Sequence, residues 1–197
     1  MCPPSAANPL GPYLARLVAR RLSAPEQSEA LVDLARLKAQ IESAELAMTA
    51  RWDADKAWAL DGALSGAVWL RANLGVTAGA ARSQVRTARV LQTAPILARA
   101  YAVGELTTNR VQRLAALAAG DAGELFARDE ATLVIAAIGL DDAGVHRLDR
   151  HWEACALDEL SEPDSGTDRQ AARQRMRVSR DFHGNVIGDL RLAPVDG

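Results

Sequence analysis

Residues 28–60 contain neither proline nor glycine. A stretch of that length without either helix-breaking residue commits this part of the chain to helix. Within it Leu34, Leu37, Ile41, Ala44 and Met48 recur at alternating spacings of three and four, a nearly heptad-like seam. Helices of compact domains average about 11–12 residues. The segment therefore reads as one long spine helix or as two helices broken near Asp53, with Trp52 and Trp58 docking its far end. Alanine is the commonest residue and aromatic residues make up only 4%. Small side chains favour helix and let helices approach closely, so the core should be thin and tightly packed.

The rest of the chain continues the pattern. Residues 1–27 read as a flexible, proline-rich start followed by a short amphipathic helix carrying Leu14, Leu17, Val18 and Leu22, interrupted at Ala24 and Pro25. Residues 28–160 read as one helical domain. Thr77, Thr107 and Asp141 are N-cap candidates, Pro95 opens a short helix, and Gly104 and Gly120 close two others. The last long helix should turn Val145, Leu148, Trp152 and Cys155 inward. Residues 161–168 have the composition of a linker. Residues 169–197 change period from helical to two: Met176 and Val178, then Val186, Gly188, Leu190 and Leu192, flank His183-Gly184-Asn185. That is the signature of a β-hairpin, the start of an interrupted C-terminal region. The expected fold is mainly α: an alanine-rich multi-helix bundle with a helix-turn-helix-like segment and a short C-terminal β-hairpin.

Charge is distributed unevenly. Residues 71–113 hold seven arginines, no lysine and one carboxylate, Glu105; residues 121–164 hold twelve carboxylates and three arginines. The whole-chain charge of −2 conceals this split. Arginine outnumbers lysine 21 to 2, a bias expected of a GC-rich genome, so position matters more than number. Opposite-sign segments make either a polyanion-facing surface or an internal clamp.

The sharpest local signal is Leu70-x-x-x-Leu74-Gly75-Val76-Thr77 followed by an amphipathic helix, the parts of a helix-turn-helix. In the second helix Ala81, Val85, Ala88 and Leu91 face inward. Arg82, Arg86 and Arg89, spaced four and three, share an outward face suited to phosphate contacts. The small residue usual in the middle of the first helix is replaced by Arg71. An ordinary helical hairpin with a solvated arginine face has the same pattern. Should these arginines pair with Asp149, Glu153 or Asp158, they would form a clamp and leave no basic surface.

Catalytic and metal chemistry find little support. His151 and Cys155 lie four apart, but two ligands do not make a metal site, and Cys155 belongs to the apolar seam. His146 reads as solvated. His183, near Asp181, reads as turn chemistry. There is no nucleophile elbow and no glycine-rich phosphate loop. No catalytic residue, metal ligand or cofactor is assigned. Cys2 and Cys155 read as free thiols in a reducing cytoplasm, and no segment has the length of a membrane span.

Several strings together carry a resemblance. They are Ala44-Glu45-Leu46 with Arg51-Trp52, Trp69-Leu70, Gly75-Val76-Thr77-x-Gly79-x-Ala81 and Val85-Arg86-x-Ala88. Pro95, Gly104-Glu105-Leu106-Thr107 and Gly188-Asp189-Leu190-Arg191-Leu192-x-Pro194-x-Asp196-Gly197 follow. Over residues 28–197 the chain resembles the actinobacterial domain of unknown function 222, the N-terminal part of 13E12-repeat, HNH-endonuclease-like proteins. The resemblance implies a helical domain preceding an HNH nuclease module, which this chain stops short of. The expected function is therefore a non-catalytic, nucleic-acid-associated domain contacting DNA phosphates through Arg82, Arg86 and Arg89. The alternatives are an oligomerisation or scaffold module pairing a second copy along the 34–48 seam, or a degenerate fragment with no independent function. Cleavage by this chain alone would need residues it does not carry.

Overall fold

The computed structural model describes residues 10–161 and, as backbone, residues 176–180 and 186–190. The chain divides into two compact units, residues 1–35 and 36–197, with the division falling inside the second helix.

In the first unit, α1 (Leu10–Ala19) has no buried residue. The second helix, α2 (Ala24–Ala54), begins four residues before the proline-free stretch, because Pro25 in a first turn forfeits no hydrogen bond. Its start is fixed by Glu26, whose carboxylate accepts from the backbone N–H and the hydroxyl of Ser23, each at 2.8 Å. That backbone contact, with the Ser23 hydroxyl and Arg20, holds the Glu26 carboxyl below its usual range.

The second unit holds the remainder of α2, a 3-10 turn (Ala57–Asp61), and six further helices. These are α3 (Gly66–Leu74), α4 (Ala78–Thr93), α5 (Pro95–Ala102), α6 (Thr108–Ala118), α7 (Gly123–Gly139) and α8 (Asp142–Leu160). The helical class is as expected. Thr77 and Asp141 cap as anticipated, their side chains accepting from Ala80 N and Gly144 N. The hairpin expected within 169–197 falls largely outside the described residues. Of that region only two five-residue backbone segments are described, β1 (Met176–Arg180) and β2 (Val186–Leu190), paired antiparallel with Met176 opposite Leu190.

The core is built of small and medium side chains around Tyr101, Phe126, Leu97, Leu106 and Leu114. Two polar links, one buried and one part-buried, join helices across it. Glu130 of α7 accepts from the backbone N–H of Leu97 at 2.8 Å, supplying the first turn of α5 where Pro95 has no donor. Tyr101 meets the Thr108 hydroxyl at 2.7 Å, and Thr108 donates to Glu42 of α2. Burial pushes the Tyr101 phenol up to about 12.

The face of α2 that enters this core is not the one that carries Ile41 and Met48. The buried residues are Ala39, Leu46, Thr49, Ala50 and Asp53, whereas Ile41 and Met48 stand exposed. Gly104 packs against α2 at φ 79°, where a Cβ would lie 3.0 Å from the Arg36 carbonyl oxygen. On α8, Ala156 rather than Cys155 completes the inward row after Val145, Leu148 and half-buried Trp152; Cys155 is exposed.

Candidate nucleic-acid interface

The site is assembled from α3, the turn after it and α4. Ser65 caps α3 by accepting from Val68 N. Gly75 ends it in the left-handed region at φ 66°, a conformation that a β-carbon would oppose. Two residues later the Thr77 hydroxyl starts α4. Leu70, Ala81 and Val85 form a small core between the two helices, with Trp52 and Trp69 packed edge to face at 4.9 Å beside it.

Turning Ala81, Val85 and Ala88 inward leaves Arg82, Arg86 and Arg89 exposed, as their spacing requires. All three line one cleft of about 490 Å³, whose other walls are the start of α3 (Ser65, Gly66, Ala67), Val85 and Val90 of α4, and Ala119 after α6. The three cations are not equivalent. Arg89 donates through Nε to Asp53 Oδ2 at 2.8 Å, and its Nη2 lies 2.7 Å from the same oxygen. The Asp53 side chain is only 5% exposed, while that of Arg89 is 66% exposed. Asp53 therefore anchors Arg89 and leaves its outer edge in solvent. Among the described residues Arg82 and Arg86 have no carboxylate partner.

Gly66 completes the corner. A Cβ there would lie 2.6 Å from Asp53 Oδ1 and 3.2 Å from the Trp52 ring. Sequence reading missed both Asp53, taken only as a break point of α2, and Gly66.

An internal clamp does exist, but elsewhere. Arg113 of α6 donates to Asp149 of α8 at 2.7 Å, with the Asp149 side chain 9% exposed. A second N–H of Arg113 is given to His146 Nδ1; since guanidinium only donates, this nitrogen accepts. Asp149 Oδ1 is buried without a partner. Burial pushes the Asp149 carboxyl above its ordinary range, against the lowering pull of Arg113. Arg110 is likewise spent, donating to the Ala137 carbonyl at 2.9 Å. Of the carboxylates whose pairing with the α4 arginines would have made a clamp there, Asp149 instead serves α6.

Among the described residues no group of three or more His, Cys, Asp or Glu is placed to hold a metal ion. Cys155 Sγ lies 3.8 Å from His151 Nε2 on one turn of α8. His183 and Asp181 lie outside the described residues. No helix of the described residues is long and apolar enough to cross a membrane.

A family model described as "Domain of unknown function (DUF222)" matches residues 28–185. No curated protein and no solved structure matches the chain.

Proposed function

The chain belongs to the DUF222 family, whose description leaves its function open, and from the geometry of α4 we propose that it is a non-catalytic domain that grips nucleic acid by its phosphates. The observation that carries this reading is the exposure of Arg82 and Arg86 without a carboxylate partner among the described residues, in one cleft with Arg89. Guanidinium is weakly hydrated, always charged and shaped to fork onto phosphate oxygens. In this reading the bond-breaking chemistry belongs to a separate HNH-type module, and this domain supplies the hold. The test is anisotropy of a labelled oligonucleotide at low salt. Wild-type protein is expected to bind, and the triple variant Arg82→Ala, Arg86→Ala, Arg89→Ala to lose that binding. Undiminished binding by a folded triple variant defeats the assignment.

A second reading, self-association, is favoured by one feature. Ile41 and Met48 stand 53% and 71% exposed on α2, an apolar stripe on which the same helix of another copy can lie. Light scattering separates the readings: a mass that rises with concentration and falls in Met48→Glu supports pairing, and a constant monomer mass excludes it.

A further inference from the structure

We propose that the α4 cleft receives a single nucleic-acid strand and does not dock on a duplex; this rests on the reading that the arginine row contacts phosphates.

A duplex is read by a helix entering the major groove, which is about 12 Å wide, so the reading helix must stand proud of its neighbours. The arginines of α4 instead line a cleft, with the start of α3 on one side and Ala119 on the other. The cleft, about 490 Å³, is open to solvent along the arginine row. It can take a nucleotide-sized portion of a flexible strand. The phosphates of a stiff duplex are fixed in position, whereas a flexible strand can adjust its phosphates to the three guanidinium groups.

The leading end of α4 points the same way. In a helix-turn-helix the N-terminal residues of the second helix touch base edges. Here the exposed residues of that turn are Gly79 and Ala80, which carry no polar side chain. The Thr77 hydroxyl is occupied by Ala80 N, and the Gln84 amide donates to Glu45 at 2.7 Å. Arg82 aside, two of the polar side chains at this end, Thr77 and Gln84, are thus already engaged within the fold.

Between its guanidinium groups the cleft is lined by Ala67, Val85, Val90 and Ala119. An unstacked sugar and base can lie on such a surface, whereas a duplex keeps its bases inside. Trp52 and Trp69 are engaged with each other. Holding would therefore be mainly electrostatic, indifferent to sequence and sensitive to salt.

The experiment compares short fluorescein-labelled oligothymidylate with a duplex of equal length, using the full chain at low salt. The single strand is expected to bind about tenfold more tightly than the duplex. Ala119→Leu, at an exposed position, adds bulk to the wall without altering charge and is expected to weaken single-strand binding severalfold. Ala67→Leu repeats the test from the opposite wall, with circular dichroism confirming the fold of each variant. Duplex binding as tight as single-strand binding, lost in the Arg82, Arg86, Arg89 triple variant, overturns this inference and leaves the phosphate-gripping function standing. Single-strand binding untouched by both wall variants also overturns it. If neither nucleic acid binds, both readings fall.

Discussion

Arg82 and Arg113 are drawn from the same basic stretch of sequence, yet they have opposite fates. Arg113 is held between α6 and α8 by a carboxylate almost removed from water. Arg82 and Arg86 stand on α4 in an open cleft, with no carboxylate partner among the described residues. Arg89 is intermediate, anchored at one edge by Asp53 and wet at the other. Function belongs where a charge is kept unneutralised at some electrostatic cost, and stability where it is matched. A guanidinium whose loss strands a buried carboxylate is structural. One whose loss strands nothing is free to serve a ligand.

The largest effect on stability is expected at the clamp. Arg113→Ala leaves the Asp149 carboxylate buried and unpaired, and should lower unfolding free energy by about 2–3 kcal/mol in urea titration. A loss below about 0.5 kcal/mol would erase the contrast with α4. The loss should also depend on pH. The Asp149 carboxyl is already raised above its ordinary 3.8 by burial. Such a group favours the folded state when protonated, and that contribution is lost as pH rises through its folded value. Removing Arg113 raises it further, so the deficit of the variant should be greatest near neutrality. It should shrink as pH falls toward the ordinary carboxylate value. A deficit that grows on acidification reverses the sign and refutes the assignment.

Next comes the corner of the cleft. Gly66→Ala forces a β-carbon against Asp53 and Trp52 and should cost about 2 kcal/mol. Because the displaced carboxylate holds Arg89, nucleic-acid binding should weaken alongside. Stability unchanged in this variant would show that the corner relaxes and that Asp53 does not fix Arg89. Arg89→Ala strands the buried Asp53 carboxylate and should likewise cost about 2 kcal/mol. Smallest of all, Arg82→Ala and Arg86→Ala should each change stability by less than about 0.5 kcal/mol while weakening oligonucleotide binding several-fold. A large stability loss at either would place it with Arg113.

The reach of the sequence follows the range of the interactions involved. Local signals were legible: the caps at Thr77 and Asp141, the proline opening α5, the glycine turn after Leu74, and the α4 face that buries Ala81, Val85 and Ala88. Arg82, Arg86 and Arg89 came out together because helical spacing alone brings them to one side. The inward face of α2 was not legible, because it is made largely of alanine and threonine. Hydrophobic periodicity weights bulk, and it picked out Ile41 and Met48, which are exposed. Cys155 was misplaced by one residue from Ala156. Ion-pair partners were not legible at all. Arg89 with Asp53 and Arg113 with Asp149 each join positions 36 residues apart, and no pattern in the chain encodes which carboxylate returns to which arginine.

The central claim, that the unpaired α4 arginines exist to hold phosphates, is tested most directly by the salt dependence of oligonucleotide binding. Three phosphate contacts predict a log–log slope of about −2 on a single strand and about −3 on a duplex. The double variant Arg82→Ala, Arg86→Ala should flatten the slope to about −1, while Arg113→Ala, compared under conditions where it is folded, should leave it as in the wild type. An unchanged slope in the double variant, or a flattened one in Arg113→Ala, would contradict the account.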